Sequence, residues 1–323
     1  MGTTTAPTAQ VTELNNGGVR LAGLLRSPVL ALTFATFFWA GSFVVGRAIS
    51  HHLDPVAITL WRWVISLLIF APFVWRDGMR YLPVLLREWR LLVGLGATGI
   101  ALFHPLVWVA LQHTSATNAL LTFSLSPVVI LVCGSVLNGK RPMGREVGGV
   151  LASMIGAAVL ITRGDLAVIA SMGFNAGDLW MLMAVAVWAA YSLLLRRRPS
   201  DLPQTLALVS SIVVALPLLL AFTQLMGSSV TLPWSGPVLL GVAYVAVFAS
   251  VVSFLFWSHG VAELGPSRAG QFVHLMPVFG AALSFAFLGE PLSVAQVVGA
   301  VFVLTGIVLI ETQPQLAGTA TSR

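Results

Sequence analysis

The feature that most constrains this chain is an internal repeat at an offset of 150 residues. Four proline or glycine positions recur at that offset, namely Pro127 with Pro277, Gly139 with Gly289, Gly149 with Gly299, and Gly156 with Gly306. Four apolar positions match at the same offset, namely Ala119 with Ala269, Leu125 with Leu275, Val128 with Val278, and Val147 with Val297. The repeat predicts that two halves of similar length share one structural plan.

The composition places this repeat in a membrane. Of the 323 residues 57% are hydrophobic and 9% are charged, and the mean hydropathy is +0.93, whereas about a quarter of the residues in an ordinary globular chain are charged. A soluble enzyme is therefore not the leading interpretation. The high isoelectric point does not indicate nucleic-acid binding, because the basic residues lie in short loops between apolar runs.

Apolar runs of about 20 residues, the length that crosses the hydrocarbon core as a helix, mark candidate spans. Ten such runs are predicted, at residues 28–50, 55–75, 90–112, 116–137, 146–162, 177–195, 204–226, 236–258, 267–288 and 293–311. They divide into a first repeat, 28–162, and a second repeat, 177–311, with a disordered tail at 1–27 and a second tail at 312–323. The connections leave no room for a separate soluble domain.

The distribution of Lys and Arg predicts the orientation of the chain, because cytoplasmic loops are enriched in these residues. When the predicted loops are assigned alternately to the two sides, fourteen basic residues fall on the side of the N-terminus and two, Arg47 and Arg163, fall on the other. Both termini are therefore expected in the cytoplasm. Five spans per half is an odd number, so the two halves must have opposite orientations. The predicted fold is all-α integral membrane, with ten transmembrane helices in two five-helix inverted repeats.

The repeated residues resemble the signature of the drug/metabolite transporter superfamily, EamA type. The resemblance is carried by Ala119 with Pro127, Ala269 with Pro277-Val278, Leu288-Gly289-Glu290, Gly299, Gly306 and Arg62. It covers about residues 28–311 and implies ten helices, a small metabolite bound in a central cavity, and export of amino acids or related solutes. The first repeat has Lys140 where the second has Glu290, so no role of that glutamate extends to the first half.

Inward-facing polar or aromatic side chains are the candidates for substrate binding, because polar groups that face lipid are costly. Trp39 and Ser42 share one helix face, Trp188 and Tyr191 share another, and Tyr244 is a further candidate. Trp39 and Trp188 stand at nearly equivalent repeat positions and are predicted to sandwich a flat or cationic substrate. The alternative for tryptophan is anchoring at the membrane interface.

Polar residues in other spans extend this set. Candidates are His104 and Trp108 at i, i+4 spacing, Asn118, and the pair Gln271 and His274. Such residues also hold membrane helices together by hydrogen bonds, so both roles stay open. His274 is in addition a candidate proton carrier, because imidazole titrates near neutral pH.

Arg62 and two prolines are assigned positional roles. Arg62, inside the second span, either clamps a substrate carboxylate or ties down a helix end, and the structural role is favoured because the resemblance places arginine there for varied substrates. Pro127 and Pro277 each remove one helical hydrogen bond and are predicted hinges, the alternative being static bends. The glycines of the last span in each half indicate close helix contact, as scaffold or as a dimer face.

The absence of carboxylates from the span centres bears on mechanism. Every Asp and Glu lies in a tail, a loop or at a span boundary, which argues against a cation antiporter with an intramembrane acid. We therefore expect an exporter of neutral or zwitterionic solutes, amino acids first. The alternatives are a multidrug or lipophilic-cation exporter, a membrane enzyme, and a structural membrane protein.

The spans contain no HExxH motif, which a membrane metalloenzyme would need, and the sequence contains no GxxxxGK[ST] loop for ATP. The sequence therefore does not support an enzyme or direct use of ATP. We expect no cofactor and no metal, and the single cysteine, Cys133, is assigned to packing. The expected partners are a small-molecule substrate and the lipid bilayer, without nucleic acid, in a monomer or homodimer. The bacterial inner membrane is the expected location, and proton antiport and facilitated diffusion both fit the residues.

Overall fold

The computed structural model describes residues 27–49, 52, 54–139, 141–170 and 173–311. The predicted tails over 1–26 and 312–323, and Lys140 in the loop that departs from the repeat, lie outside the described residues. Within the described ranges every regular element is helical. The all-α prediction is therefore confirmed for this part of the chain.

Ten long helices, here α1 to α10, follow one another in the described part of the chain. Their bounds are α1 Pro28–Ile49, α2 Pro55–Arg80, α3 Trp89–His113, α4 Ala116–Leu137, α5 Gly144–Thr162, α6 Ala176–Leu195, α7 Gln204–Leu225, α8 Gly236–Leu264, α9 266–288 and α10 Val294–Glu311. Two short helices, Leu82–Arg87 and Leu166–Ala170, lie in connections.

Nine of the described helices, α1 to α9, are long and apolar enough to cross a membrane. The described apolar part of α10, Val294–Ile310, is shorter, so the number of ten membrane spans stays a prediction. The predicted bounds are close to the observed ones except that α2 continues to Arg80 and α8 to Leu264. Both helices continue into more polar sequence, where the hydropathy pattern alone had placed the ends.

The helix contacts follow one rule. α1 packs on α8 and α9, and α6 packs on α3 and α4, while α2 packs on α7, α4 on α9 and α5 on α10. If each helix is replaced by the helix five places away along the chain, the contacts of α1 become those of α6, and the contacts α2–α7, α4–α9 and α5–α10 become themselves. The two halves are therefore intertwined, and each helix of one half packs against helices of the other.

The contact between α5 and α10 is an approach of backbone to backbone. A Cβ atom at Gly156 would lie 2.5 Å from the carbonyl oxygen of Gly299, and one at Gly306 would lie 2.5 Å from that of Gly149. No side chain larger than hydrogen fits such positions without displacing the partner helix, and this is how small residues join membrane helices. α5 and α10 therefore form one closely packed pair.

Four helices are locally irregular at positions that correspond in the repeat. α3 contains a π-helical segment, Ala97–Leu102, and α8 contains one at Val245–Val252. α4 is interrupted between Phe123 and Ser126, and α9 contains a 3-10 turn, Phe272–His274. π segments are frequent at functional sites because they change the direction in which side chains point.

The two prolines explain the irregularities in α4 and α9. Pro127 lies in the first turn of the second segment of α4, where its missing N–H costs least. The carbonyl of Phe123 instead accepts a hydrogen bond from the Ser126 hydroxyl at 2.5 Å. Pro277 follows the 3-10 turn of α9 in the same way. The breaks occur where the prolines predict them, and motion about them stays a prediction.

The core of the bundle is aromatic. Trp39 of α1 and Trp188 of α6 contact each other, and both contact Phe254 and Trp257 of α8, with ring centroids 5.3 to 6.2 Å apart. Phe103 and Tyr191 extend the group through Trp188, at 5.2 and 5.3 Å. We call these six residues the aromatic cluster. It joins α1, α3, α6 and α8, and so it joins the two halves of the chain.

Candidate functional site

A cavity of about 310 Å³ opens at one end of the bundle. Its walls are α1, the first turns of α4, the end of α5, the middle of α9 and the segment 290–296 that leads into α10. These elements come from both predicted repeats, 28–162 and 177–311. Cavities of this size hold small organic molecules, so this is the candidate binding site.

The mouth of the cavity carries an ion pair. Arg163 Nη2 lies 3.0 Å from Glu290 Oε2, and the two side chains are 57% and 34% exposed. Arg163 ends α5 with a left-handed backbone conformation, φ 55°, and Gly289 places Glu290 through a φ of 67° at the end of α9. We use this pair to name the Arg163 end of the bundle.

The base of the cavity is a buried hydrogen-bond network centred on His274. Its Nδ1 lies 2.8 Å from Ser153 Oγ and its Nε2 lies 2.8 Å from the Ser124 carbonyl oxygen. A carbonyl only accepts, so Nε2 carries a hydrogen and donates it. Ser153 Oγ also lies 2.9 Å from Gln271 Oε1. The network thus connects α5, the break in α4 and the 3-10 turn of α9 directly behind the cavity wall.

Among the described residues, the opposite end of the bundle is closed. The space there measures about 10 Å³ and is lined by residues that include Tyr191, Gln204, Phe254 and Ser258. Such a volume is less than one water molecule needs. Tyr191 and Phe254 belong to the aromatic cluster, and Phe123 on the wall of the large cavity contacts Phe103 of the same cluster at 5.7 Å. The aromatic cluster therefore contributes two residues to the small space and contacts the wall of the large cavity through Phe123.

Ionic and polar contacts accompany the closure at this second end. Arg87 Nη2 lies 3.0 Å from Asp201 Oδ2, which connects the loop before α3 with the loop before α7. The hydrogen bonds that Arg87 donates to the Glu88 and Asp201 carboxylates raise the pKa of Arg87 above its ordinary value. Arg196 donates to the carbonyl of Ala262 at the end of α8. We call this the Arg87 end of the bundle.

Arg62 lies inside the bundle and its three nitrogens are occupied. Nε donates to Ser250 Oγ at 2.7 Å, Nη2 donates to the Ala249 carbonyl at 3.1 Å, and Nη1 lies 3.1 Å from His104 Nε2. Its guanidinium carbon lies 5.3 Å from the ring centre of Trp63. Ala249 and Ser250 lie in the π segment of α8, and His104 lies just after the π segment of α3. These contacts are what a structural role requires, and the clamp role stays a prediction.

The structure brings one predicted binding residue, His274, and one predicted hinge, Pro277, to the cavity wall. Gln271 lies behind His274 with 1% of its surface exposed. Asn118 lies beside Thr117 of the wall. Trp39, Trp188 and Tyr191 pack together in the aromatic cluster, with no space between the two indoles for a substrate.

The remaining predicted residues bond to neighbouring helices or to their own helix. Ser42 Oγ donates to the Trp39 carbonyl at 2.7 Å, and Tyr244 Oη donates to the Phe38 carbonyl at 3.3 Å. Trp108 Nε1 donates to Thr59 Oγ1 at 3.0 Å. His104 is the partner of Arg62. Participation of all ten residues in substrate binding stays a prediction.

Five polar wall residues are not among the predicted binding residues, namely Arg163, Glu290, Thr117, Ser284 and Gln296. Arg163 and Glu290 lie outside the predicted spans, and the other three lie within five residues of a span end. The signal was present in the charge distribution, because Arg163 is one of only two basic residues on its predicted side.

Comparison with known proteins agrees with this architecture. The model of the EamA-like transporter family matches the chain twice, at residues 26–162 and 175–312. A solved crystal structure superposes with a TM-score of 0.72 at 20% sequence identity, covering 88% of this chain and 96% of the other. That likeness shows a shared fold.

Relatives over most of the chain carry transporter names. The uncharacterized transporter YyaM of Bacillus subtilis (strain 168) is 28% identical, covering 86% of this chain and 91% of the relative. A probable terminal-alkyne amino-acid exporter of Streptantibioticus cattleyicolor is 24% identical over 88% of this chain and 94% of the relative. A probable amino-acid metabolite efflux pump of Salmonella typhimurium is 25% identical over 83% of this chain and 89% of the relative.

Proposed function

The chain belongs to the EamA-like transporter family, and we propose that it is a secondary transporter that exports small metabolites, most directly amino acids, by alternating access. The observation that carries the proposal is the cavity of about 310 Å³, which is open at the Arg163 end while the Arg87 end is closed. An enclosed path with one open end is the geometry of one state of an alternating-access cycle.

The proposed topology is ten spans in two inverted repeats. The helix contacts support it, since the list of contacts is unchanged when each helix is replaced by the helix five places away along the chain. The corresponding π segments of α3 and α8 support it as well. The basic loops at the Arg87 end support a cytoplasmic position for that end, and in the proposed topology the cavity faces the outside of a cell inner membrane.

The chemistry of the cavity supports an amino-acid-like substrate. Most of the wall is apolar, with hydroxyl groups at Thr117, Ser124 and Ser284, an imidazole at His274, and the ion pair at the mouth. Groups of this kind suit a solute with an apolar body and a small polar head. The exporter names of two relatives point to the same class.

The test is counterflow in proteoliposomes with a panel of neutral, cationic and anionic amino acids and lipophilic cations. The informative variant is Gly280→Leu, because a Cβ atom at Gly280 in the cavity wall meets no atom within 4 Å. We expect the longer side chain to fill part of the cavity, and leucine favours helix by up to about 1 kcal/mol over glycine. The matched control is Gly148→Leu on the exposed face of α5, where a Cβ is equally unobstructed.

We expect the wild type to exchange amino acids and Gly280→Leu to lose most of that exchange while its thermal midpoint is kept. Gly148→Leu is expected to resemble the wild type in both measurements. Exchange of lipophilic cations alone would replace the amino-acid assignment with the multidrug one. If Gly280→Leu exchanged substrate at the wild-type rate, the cavity would not be the transport path.

A further inference from the structure

Arg163 and Glu290 are the only fully charged side chains among the described residues of the cavity wall. They lie at its mouth, 3.0 Å apart, and both are partly exposed. His274, the other titratable group of the wall, is buried at the base, where its two ring nitrogens already contact Ser153 and Ser124. The mouth therefore presents one positive and one negative group side by side to anything that enters or leaves.

The backbone at Arg163 is unfavourable for arginine. A helix that ends in the left-handed region normally places glycine there, because a Cβ atom crowds the following carbonyl. Here arginine takes φ 55° and glycine follows at 164 with φ 79°. Backbone strain of this kind collects at functional sites. The position thus retains a side chain that the local fold disfavours.

The backbone of Glu290, the partner of Arg163, is fixed on both sides. Gly289 turns the chain with φ 67°, and the Glu290 N–H donates to the Ser284 carbonyl at 3.4 Å. Ser293 and Gln296 then cap α10 reciprocally, Ser293 N–H to Gln296 Oε1 at 3.0 Å and Gln296 N–H to Ser293 Oγ at 3.2 Å. Glu290 therefore stands between two fixed helix ends.

The frame beneath both residues is rigid. Arg163 ends α5 and Glu290 precedes α10, and these two helices are the pair joined by glycine contacts. A Cβ atom at Gly164 would lie 2.5 Å from that of Ala295 at the start of α10, so the Arg163 turn itself is docked on α10. Two charges on one closely packed helix pair are expected to stay together when the halves of a transporter rock. This suits a recognition site better than a gate.

We propose that the Arg163–Glu290 pair is a zwitterion-recognition site at the cavity mouth, where Arg163 binds the carboxylate and Glu290 binds the ammonium of an α-amino acid. Guanidinium groups bind carboxylates through paired, charge-assisted hydrogen bonds. An arriving zwitterion replaces one contact between opposite charges with two. A solute with only one charge meets one attractive and one repulsive neighbour, so the pair selects against amines and carboxylates alone.

This inference rests on the proposed function and specifies its substrate class. The test uses three solutes with the same branched apolar body, namely leucine, 3-methylbutylamine, which lacks the carboxylate, and 4-methylpentanoate, which lacks the ammonium. Inhibition of leucine counterflow by each solute is measured for the wild type, Arg163→Gln, Glu290→Gln and the double exchange Arg163→Glu with Glu290→Arg.

We expect Arg163→Gln to improve inhibition by the amine relative to leucine, and Glu290→Gln to improve inhibition by the acid. Each ratio of inhibition should change about tenfold. This is the lower end of the range for loss of a hydrogen bond to a charged group, because the site is partly exposed. The double exchange should recover the preference for leucine. Arg163→Gly supplies a variant that removes the guanidinium while giving the backbone the residue it prefers, and it should match Arg163→Gln in solute preference and keep the wild-type thermal midpoint.

The outcomes separate the two proposals. If the wild type exchanges no amino acid, the proposed function fails. If the wild type exchanges leucine and the four variants keep the wild-type ratios among the three solutes, the function stands and the recognition role of the pair is overturned.

Discussion

Trp39 and Trp188 contact each other edge to face, with ring centroids 5.4 Å apart and ring planes at 80°. The residues come from different halves of the chain, and Trp257 contacts both, at 5.4 and 5.3 Å. Trp39 is fixed further by a hydrogen bond from Nε1 to the Ala249 carbonyl at 2.9 Å. In the proposed alternating-access cycle the two indoles are the barrier between the ends of the bundle, and they must part when a substrate passes.

The first prediction concerns Trp188→Ala. It removes a side chain with 3% of its surface exposed from the centre of the aromatic cluster, and large-to-small changes of this kind cost about 3–5 kcal/mol. We expect a lower thermal midpoint in detergent. We also expect counterflow to lose its strict exchange of one solute molecule for another, because the barrier between the two ends is opened. Trp188→Phe should cost less, since the indole N–H of Trp188 has no hydrogen-bond partner among the described residues.

Trp180→Ala is the matched control, because it lies on the same helix with 37% of its surface exposed. It should change neither the thermal midpoint nor the counterflow appreciably. Equal effects of the two alanine variants would contradict the assignment of Trp188 to the barrier.

The second prediction separates the two roles of Arg62. Lysine keeps the charge but cannot reach Ser250, Ala249 and His104 from one ammonium group, so Arg62→Lys leaves buried acceptors unpaired at about 1–3 kcal/mol. We expect Arg62→Lys to lower the thermal midpoint, with the KM of the remaining active protein little changed. Arg145→Lys, at an exposed position of α5, is the control. A raised KM at an unchanged midpoint would instead identify Arg62 as a carboxylate clamp.

The helical fold was predictable because its causes are local. Runs of apolar residues of span length give the helices, and prolines at 127 and 277 give the breaks in α4 and α9. The hydrogen-bond partners of Arg62 were harder to predict. His104 and Ser250 reach Arg62 because π segments change their direction, and a pattern with a period of 3.6 residues assumes that no such segment occurs.

The candidate site was harder to predict because two kinds of polar residue look alike in sequence. His274 lines the cavity, whereas Gln271, on the same predicted stripe, lies buried behind it. A buried tryptophan and a wall tryptophan share the same helical spacing, so Trp39 and Trp188 could not be distinguished from residues that face a cavity. Only the packing of one half on the other decides which face remains open.

The third prediction tests the contact between α5 and α10. Gly156→Ala would place a Cβ atom 2.5 Å from the Gly299 carbonyl oxygen, which forces the helices apart. Overpacking of this kind costs typically about 1–3 kcal/mol. We expect a lower thermal midpoint and a lower yield of folded protein. Gly148→Ala on the same helix, where a Cβ meets nothing within 4 Å, should be neutral or slightly stabilising, and destabilisation of equal size in both variants would rule out the backbone contact as its cause.

The last prediction concerns closure at the Arg87 end. Asp201→Asn removes the ion pair that Arg87 forms at 3.0 Å, and this should shift the population toward a state open at that end. Cys133 is the only cysteine of the chain, so Cys133→Ala gives a background for labelling single introduced cysteines. Ser258→Cys reports on the closed space at the Arg87 end, and Ser284→Cys reports on the large cavity.

We expect Asp201→Asn to raise the labelling rate of Ser258→Cys and to lower that of Ser284→Cys, because one state gains population at the expense of the other. High salt should have a similar effect, since exposed charges are screened. The pKa of Arg87 is raised by its carboxylate partners, so the contribution of its charge is complete below its ordinary pKa and is lost only as the pH rises through the higher value. Titration of Arg87 should therefore add no pH dependence between about pH 6 and 9. A rise in labelling at both reporter positions would indicate general loosening and would contradict a role of the Arg87–Asp201 pair in alternating access.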